Sequence, residues 1–192
     1  MIPLDGRAFR NALGWFATGV TIITTRTHSG ELVGFTANSF SSVSLEPPLV
    51  LFSLNRRANC IAAFEASGHF AVNVLGERQT ELSSRFATPL HEKWDGVALA
   101  LGQTGCPVLE EALAVFECAV HAVHEGGDHR IFLGRVLAIR AAKDGRPLLF
   151  SRGRYRAMGP PLGEPAEPPA PGATSALDNG GLFAGLEPWV GA

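Results

Sequence analysis

Residues 34–52, GFTANSFSSVSLEPPLVLF, carry the hydroxyls of Thr36, Ser39, Ser41, Ser42 and Ser44 and the amide of Asn38 directly into the apolar run PLVLFSL. Pro47 and Pro48 punctuate the chain, and Leu49 to Leu54 then read as a core strand. Solvent loops are polar, yet hydroxyls set this densely against a core strand cannot all face water. Upstream, VTIITTRT (20–27) is rich in β-branched residues, HSGE (28–31) is a turn, and LVGFT (32–36) completes a hairpin. Downstream, ANCIAAFEAS (58–67) followed by Gly68 has the pattern of a helix with a glycine stop. HFAVNVL (69–75) is a further strand and RQTELSSRFA (78–87) a further helix. Two long strands, AVFECAVHAVHE (114–125) and RIFLGRVLAI (130–139), flank the glycine-rich connection GGDH. Near the N-terminus, Asp5 is placed to cap a helix with Ala8, Phe9, Ala12, Leu13 and Phe16 at helical spacing, ending near Gly14 to Gly19. The pattern predicts a mostly β domain with short helices at its edges, an antiparallel barrel closed or nearly closed so that few strand edges are exposed.

Composition bounds the classes. A chain of 192 residues, 46% hydrophobic and 18% charged, reads as one globular domain with additional sequence. All 16 Lys and Arg precede residue 160, whereas Glu164, Glu167, Asp178 and Glu187 follow it, so residues 1–159 carry +2 and the remainder −4. Neither value suggests a nucleic-acid partner. Seven of the 13 prolines lie in the same C-terminal stretch, which predicts a domain over 1–159 and a flexible acidic Pro/Gly-rich tail over 160–192, with GLFAGLEPWV recovering some apolar character. No secretory signal pattern and no membrane-length apolar run is present, so a cytoplasmic location without membrane association is expected. Cys60, Cys106 and Cys118 are odd in number and lack C-x-x-C spacing, which favours buried, inert thiols over disulfides or zinc.

Several chemistries are unsupported. There is no G-x-G-x-x-G between a strand and a helix, no G-x-x-x-x-G-K-[ST], and no G-x-S-x-G. His121 and His124 fall on opposite faces of one strand, which disfavours a shared metal. The hydroxyl-rich stretch suits a ligand with a broad apolar face, hydrogen-bonding edges and an anionic group, a description that a flavin meets. Arg56, Arg57 and Asn59, near a helix start, are candidate partners for its phosphate. Alternatively, each Ser and Thr is simply a strand or turn former, an explanation that accounts for them singly and for their density poorly.

TGVTIITT, GFTANSFSSVSLEPPLVLFSLNRRAN, HFAVNVL, GDHRIFLGRV and PLLFSRGRY occur in the order and spacing typical of the flavin reductase-like family, and the resemblance covers roughly residues 7–157. The family has the FMN-binding split-barrel fold. The resemblance implies the reductase component of a two-component flavin-dependent monooxygenase: a homodimer that uses NADH or NADPH to reduce FMN or FAD and releases the product to a partner oxygenase. It implies that Thr36, Ala37, Asn38 and Ser39 hold the isoalloxazine edge, assisted by Ser42. It sets Ser53 and Leu54 beside the ribityl chain and phosphate, with Arg85 and Phe86 near the flavin. Where the family often has hydroxyl residues after the Arg pair, this chain has Ala58, Asn59 and Cys60. Asp128 and His129 match the G-D-H motif on the nicotinamide side, with Tyr155 of RGRY near it and His129 the candidate catalytic residue. A flavin carrier or sensor, and a split-barrel interaction module without cofactor, are the alternative classes.

Overall fold

The computed structural model describes residues 5–88 and 92–162. Its strands are β1 (Thr18–Gly19), β2 (Thr21–Arg26), β3 (Leu32–Ala37), β4 (Ser41–Leu45), β5 (Pro48–Asn55), β6 (His69–Val74), β7 (Leu99–Leu101), β8 (Pro107–Leu109), β9 (Ala114–Gly126), β10 (His129–Ala141), β11 (Leu149–Ser151) and β12 (Arg154–Arg156). The helices are α1 (Gly6–Leu13), α2 (Ile61–Ser67) and α3 (Thr80–Ala87).

Seven strands pair antiparallel in the order β3-β2-β6-β9-β10-β5-β4. The two edge strands of that sheet, β3 and β4, are consecutive in the chain and joined only by residues 38–40. Such a link reaches at most about 14 Å, so the sheet must curl until its edges meet. The mostly β, antiparallel barrel expected from the sequence is therefore the fold, and the Asn38–Phe40 link lies at its seam. Two small sheets, β1-β11-β12 and β7-β8, accompany it.

The strand that decided the reading is buried on one face only. Val50, Phe52 and Leu54 of β5 point inward, while Leu49, Leu51, Ser53 and Asn55 alternate to the other side. Phe52 stacks on Phe132 with centroids 4.9 Å apart and meets Phe70 and Phe64 edge-on at 4.9 and 5.8 Å. This aromatic core closes over Gly134 of β10, where a Cβ would press into the Phe70 ring and approach Cys118 Cβ to 3.0 Å. A second core cluster gathers Val20, Ile22, Leu75, Phe86, Leu109 and Leu148. Asn73, fully buried in β6, ties β8 to the barrel: its Oδ1 accepts from Leu109 N at 2.8 Å, and its Nδ2 donates to Ile22 O at 3.0 Å and Thr24 Oγ1 at 3.2 Å.

Local expectations were met unevenly. Asp5 caps α1, its Oδ1 accepting from Arg7 N at 2.9 Å and Ala8 N at 2.7 Å. Yet α1 buries no residue, and Phe9 and Phe16 stay largely exposed. The chain beyond it is held through Gly14, whose carbonyl accepts from Arg152 N at 2.9 Å and Ser151 Oγ at 3.1 Å. Ser41 to Leu45, assigned no element from the sequence, is a strand, because β5 offers its free edge to those backbone groups. α2 starts at Ile61 rather than Ala58, since tight turns from Ala58 N to Asn55 O and from Ile61 N to Ala58 O occupy the intervening residues. The expectations for residues 163–192, GLFAGLEPWV included, fall outside the described residues. Among the described residues, no helix is long and apolar enough to cross a membrane, and no group of His, Cys, Asp and Glu could hold a metal ion.

Candidate active site

The polar groups of residues 36–42 divide into two kinds. Thr36 Oγ1 donates to the Ser83 carbonyl at 2.6 Å, and Ser41 Oγ donates to the Ser42 carbonyl at 3.1 Å. Ser39 Oγ accepts from Ser53 N at 3.0 Å and donates to Ser53 O at 2.9 Å. That two-way clasp lets one hydroxyl imitate a ladder partner across the seam, fixing the Asn38 link against β5. By contrast, the Asn38 amide and the Ser42 and Ser53 hydroxyls have no hydrogen-bond partner among the described residues. These unspent groups are the ones available to a ligand, and the internally bonded ones hold the link in shape.

β5 carries the arrangement to the β9–β10 hairpin. Ser53 pairs with Ile131 and Asn55 with His129, so His129 lies two residues from the Ser53 register, about 7 Å along the strand. Gly127, at φ +77, takes the turn position that a side chain disfavours and allows the two-residue connection Gly127–Asp128. Arg56 N donates to Asp128 O at 3.0 Å, binding the hairpin tip to the turn after β5. Asn55 Oδ1 accepts from Arg57 N at 2.8 Å and shapes that turn. Asp128 Oδ1 lies 2.7 Å from His129 Nδ1. The hydrogen bond and charge of His129, with a smaller contribution from Arg57, hold the exposed Asp128 carboxyl below the usual carboxylate range. With Asp128 ionised, Nδ1 carries the donated proton, leaving Nε2 an acceptor in the neutral ring and a donor in the imidazolium.

The two arginines part company. The Arg56 guanidinium is engaged by Glu125 Oε2 at 3.0 Å, whereas the Arg57 side chain and the Asn59 amide make no hydrogen bond among the described residues. Arg57 is thus the cation left for an anionic ligand, because its neighbour is already neutralised.

A second group forms on α3. Tyr155 of β12 donates its hydroxyl to Ser83 Oγ at 2.7 Å, and the Ser83 carbonyl receives Thr36. Ser83 therefore joins the two matched segments that contain Thr36 and Tyr155, a role with no signature in the sequence beyond its place in SSRFA. Other predicted residues stand apart. Leu54 and Phe86 are fully buried in the two separate core clusters, Phe86 packing edge-on against Trp94 at 4.8 Å, so only their backbones can meet a ligand. Ala37 is buried as well, its carbonyl accepting from Thr21 Oγ1 at 2.8 Å. Arg85 Nη1 is spent on the Asp95 carbonyl at 2.8 Å. Ser42 pairs with Val50, three residues along β5 from Ser53 and hence about 10 Å away.

The family model described as "Flavin reductase like domain" matches residues 13–159. The chain belongs to the flavin reductase-like family. Similar proteins include the reductase subunit HsaB of a flavin-dependent monooxygenase of Mycobacterium tuberculosis, 44% identical over 165 residues, 85% of this chain and 88% of that protein. The FMN reductase (NADH) SmoA of Agrobacterium fabrum is 47% identical over 152 residues, 79% of this chain and 85% of that one. Among solved structures, the NADH:FAD oxidoreductase SgcE6 of Streptomyces globisporus, in complex with NAD and FAD fragments, superposes with a TM-score of 0.79 at 39% identity, covering 84% of this chain and 99% of that one. The donor set of this flavin reductase-like domain fits a flavin: Asn38 and Ser53 offer neutral edge partners beside the seam, and Arg57 with Asn59 offers a cationic and amide pair for a phosphate.

Proposed function

We propose that this protein is an NADH-dependent flavin reductase that supplies reduced FMN or FAD to a partner flavin-dependent monooxygenase. One observation carries the reading: the clasped, donor-bearing seam of Asn38, Ser39 and Ser53 lies beside the turn and hairpin tip of Arg57, Asp128 and His129, on a chain of this family. A flavin held here would take up a hydride from the nicotinamide, a transfer that asks the protein for alignment more than for acid-base chemistry. Asn38 and Ser53 anchor the flavin edge, Arg57 and Asn59 its phosphate, and backbone groups at Thr36, Ala37 and Leu54 line the remainder. His129, its tautomer fixed by Asp128, orients the nicotinamide, and Tyr155 braces α3 on that side. The relatives' names support NADH over NADPH and are divided between FMN and FAD.

The protein acts as a homodimer. Val43, Leu45, Leu137 and Ile139 are all exposed, and the pairing of Leu45 with Pro48 and of Arg135 with Leu49 gathers them at the Pro48 end of β5. A second copy covers this apolar corner. Purified protein assayed for NADH and NADPH oxidation without flavin, with FMN and with FAD tests the function. Flavin-dependent oxidation supports it. Bound flavin without oxidation points instead to a carrier or sensor, and no flavin signal at all removes the reading.

A further inference from the structure

A pocket of about 360 Å³ opens where the β2–β3 hairpin meets the start of β6 and the turn between β7 and β8. Its lining includes Arg26, His28, Ser29, His69, Thr104 and Cys106. It shares no residue with the candidate flavin site, and Arg26 lies five residues along β2 from Thr21, the partner of Ala37, or about 17 Å.

Its basic groups have no acidic partner among the described residues. Arg26 Nε donates to Gly30 O at 3.3 Å, but the guanidinium has no acidic partner among the described residues. The imidazoles of His28 and His69 make no hydrogen bond among the described residues. The hydroxyls, in contrast, are spent: Thr27 and Ser29 on one another at 2.8 Å, Ser67 on His69 O at 2.8 Å. The Glu117 carboxylate stands behind the wall, its Oε2 taken by Thr104 N at 2.8 Å and Thr104 Oγ1 at 2.9 Å. Gly30, at φ +93, permits the close approach of Arg26, because a Cβ there would come within 3.2 Å of Nη2.

We propose that this pocket binds a small polar oxyanion of the phosphate-monoester type. One guanidinium and two imidazoles line a space the size of a small-ligand site. No lining residue is a Phe, Tyr, Trp or aliphatic core residue on which a base or an isoalloxazine ring would stack. A sugar phosphate, or inorganic phosphate itself, meets that chemistry, whereas an isoalloxazine ring finds nothing there to stack on.

The test is an amide-shift NMR titration of the protein saturated with FAD, which carries no phosphate monoester, first with inorganic phosphate and then with ribose 5-phosphate. Saturable shifts at Ser29, Gly30 and Gly105 are expected, with affinity reduced about tenfold or more in Arg26→Gln and retained in Arg57→Ala. NADH oxidation by Arg26→Gln should match the parent, and its unperturbed spectrum elsewhere reports an intact fold. Tighter binding of ribose 5-phosphate assigns the site to a sugar phosphate, and equal binding to phosphate alone. Absent or unsaturable shifts, or identical affinity in Arg26→Gln, overturn the proposal. Should FAD not bind at all, the same titration on the flavin-free protein still reads Ser29, Gly30 and Gly105, so the two readings fail separately.

Discussion

Replacing Ser39 with Ala tests whether the hydroxyls of the seam serve the site or only the fold. The change deletes both Ser39 bonds, 3.0 Å from Ser53 N and 2.9 Å to Ser53 O, and leaves the chain trace otherwise free to persist. Each such bond contributes about 0.5–1.5 kcal/mol net, so the clasp is worth roughly 1–3 kcal/mol. If that energy holds the Asn38 link in its binding-competent position, its loss appears mainly as weaker flavin binding, about 5- to 100-fold at 1.4 kcal/mol per tenfold. Stability falls by a smaller amount, because the protein without ligand can relax the link at its exposed side. Flavin fluorescence titration measures the affinity and thermal unfolding the stability, on the same preparations. A variant that loses stability yet binds FMN and FAD as tightly as the parent would refute the reasoning, since the clasp would then be a packing device with no bearing on the ligand.

Arg57→Ala should weaken flavin binding by about 10- to 100-fold, the range for one charge-assisted hydrogen bond, without changing thermal stability; Arg56→Ala, which removes a group already engaged by Glu125, should alter affinity much less, and equal losses in the two variants would count against the assignment. His129→Ala should lower kcat for NADH oxidation roughly tenfold while leaving flavin affinity within about twofold, the signature of a group that orients the second substrate; steady-state kinetics beside flavin titration separates the two. Burial raises all three thiols, Cys118 to about 12 with Cys106 and Glu117 adding to the effect, and Cys60 and Cys106 in the same direction. A raised value means less thiolate at any given pH, so the native protein at mildly alkaline pH should resist alkylation at Cys106 and Cys118, whereas the unfolded chain takes up three labels by mass spectrometry.

Much of the architecture was legible because it is written locally. The β-branched run at Thr21–Thr25, the glycine stop at Gly68 and the GGDH connection each act through neighbours in sequence, and each appears where the pattern put it. β4 was missed because its residues gain strand character only by pairing with β5, a contact made in space. The apolar face of α1 was visible, but what would cover it was not, and within the described chain Ala8 and Leu13 are only half-buried while Phe9 stays exposed. For the site, the sequence showed which side chains were polar and could not show which were already spent. Thr36 and Arg85 are committed to carbonyls of Ser83 and Asp95, and Arg56 to Glu125, whereas Asn38, Ser53 and Arg57 are not. Ser83 escaped notice for the same reason, since its importance lies in joining β3 to β12 through α3. The hydroxyls of residues 34–52 thus answer to two demands, and only the three-dimensional bonding separates them.

This chain passes a hydride from NADH to a flavin. Anaerobic mixing of NADH with a many-fold excess of FMN or FAD over protein, following loss of the visible absorbance of oxidised flavin, tests it most directly. Complete bleaching of the excess flavin is expected, with repeated turnover by each protein molecule and a slower rate with NADPH. Flavin that binds to the protein yet stays oxidised over the same interval would contradict it.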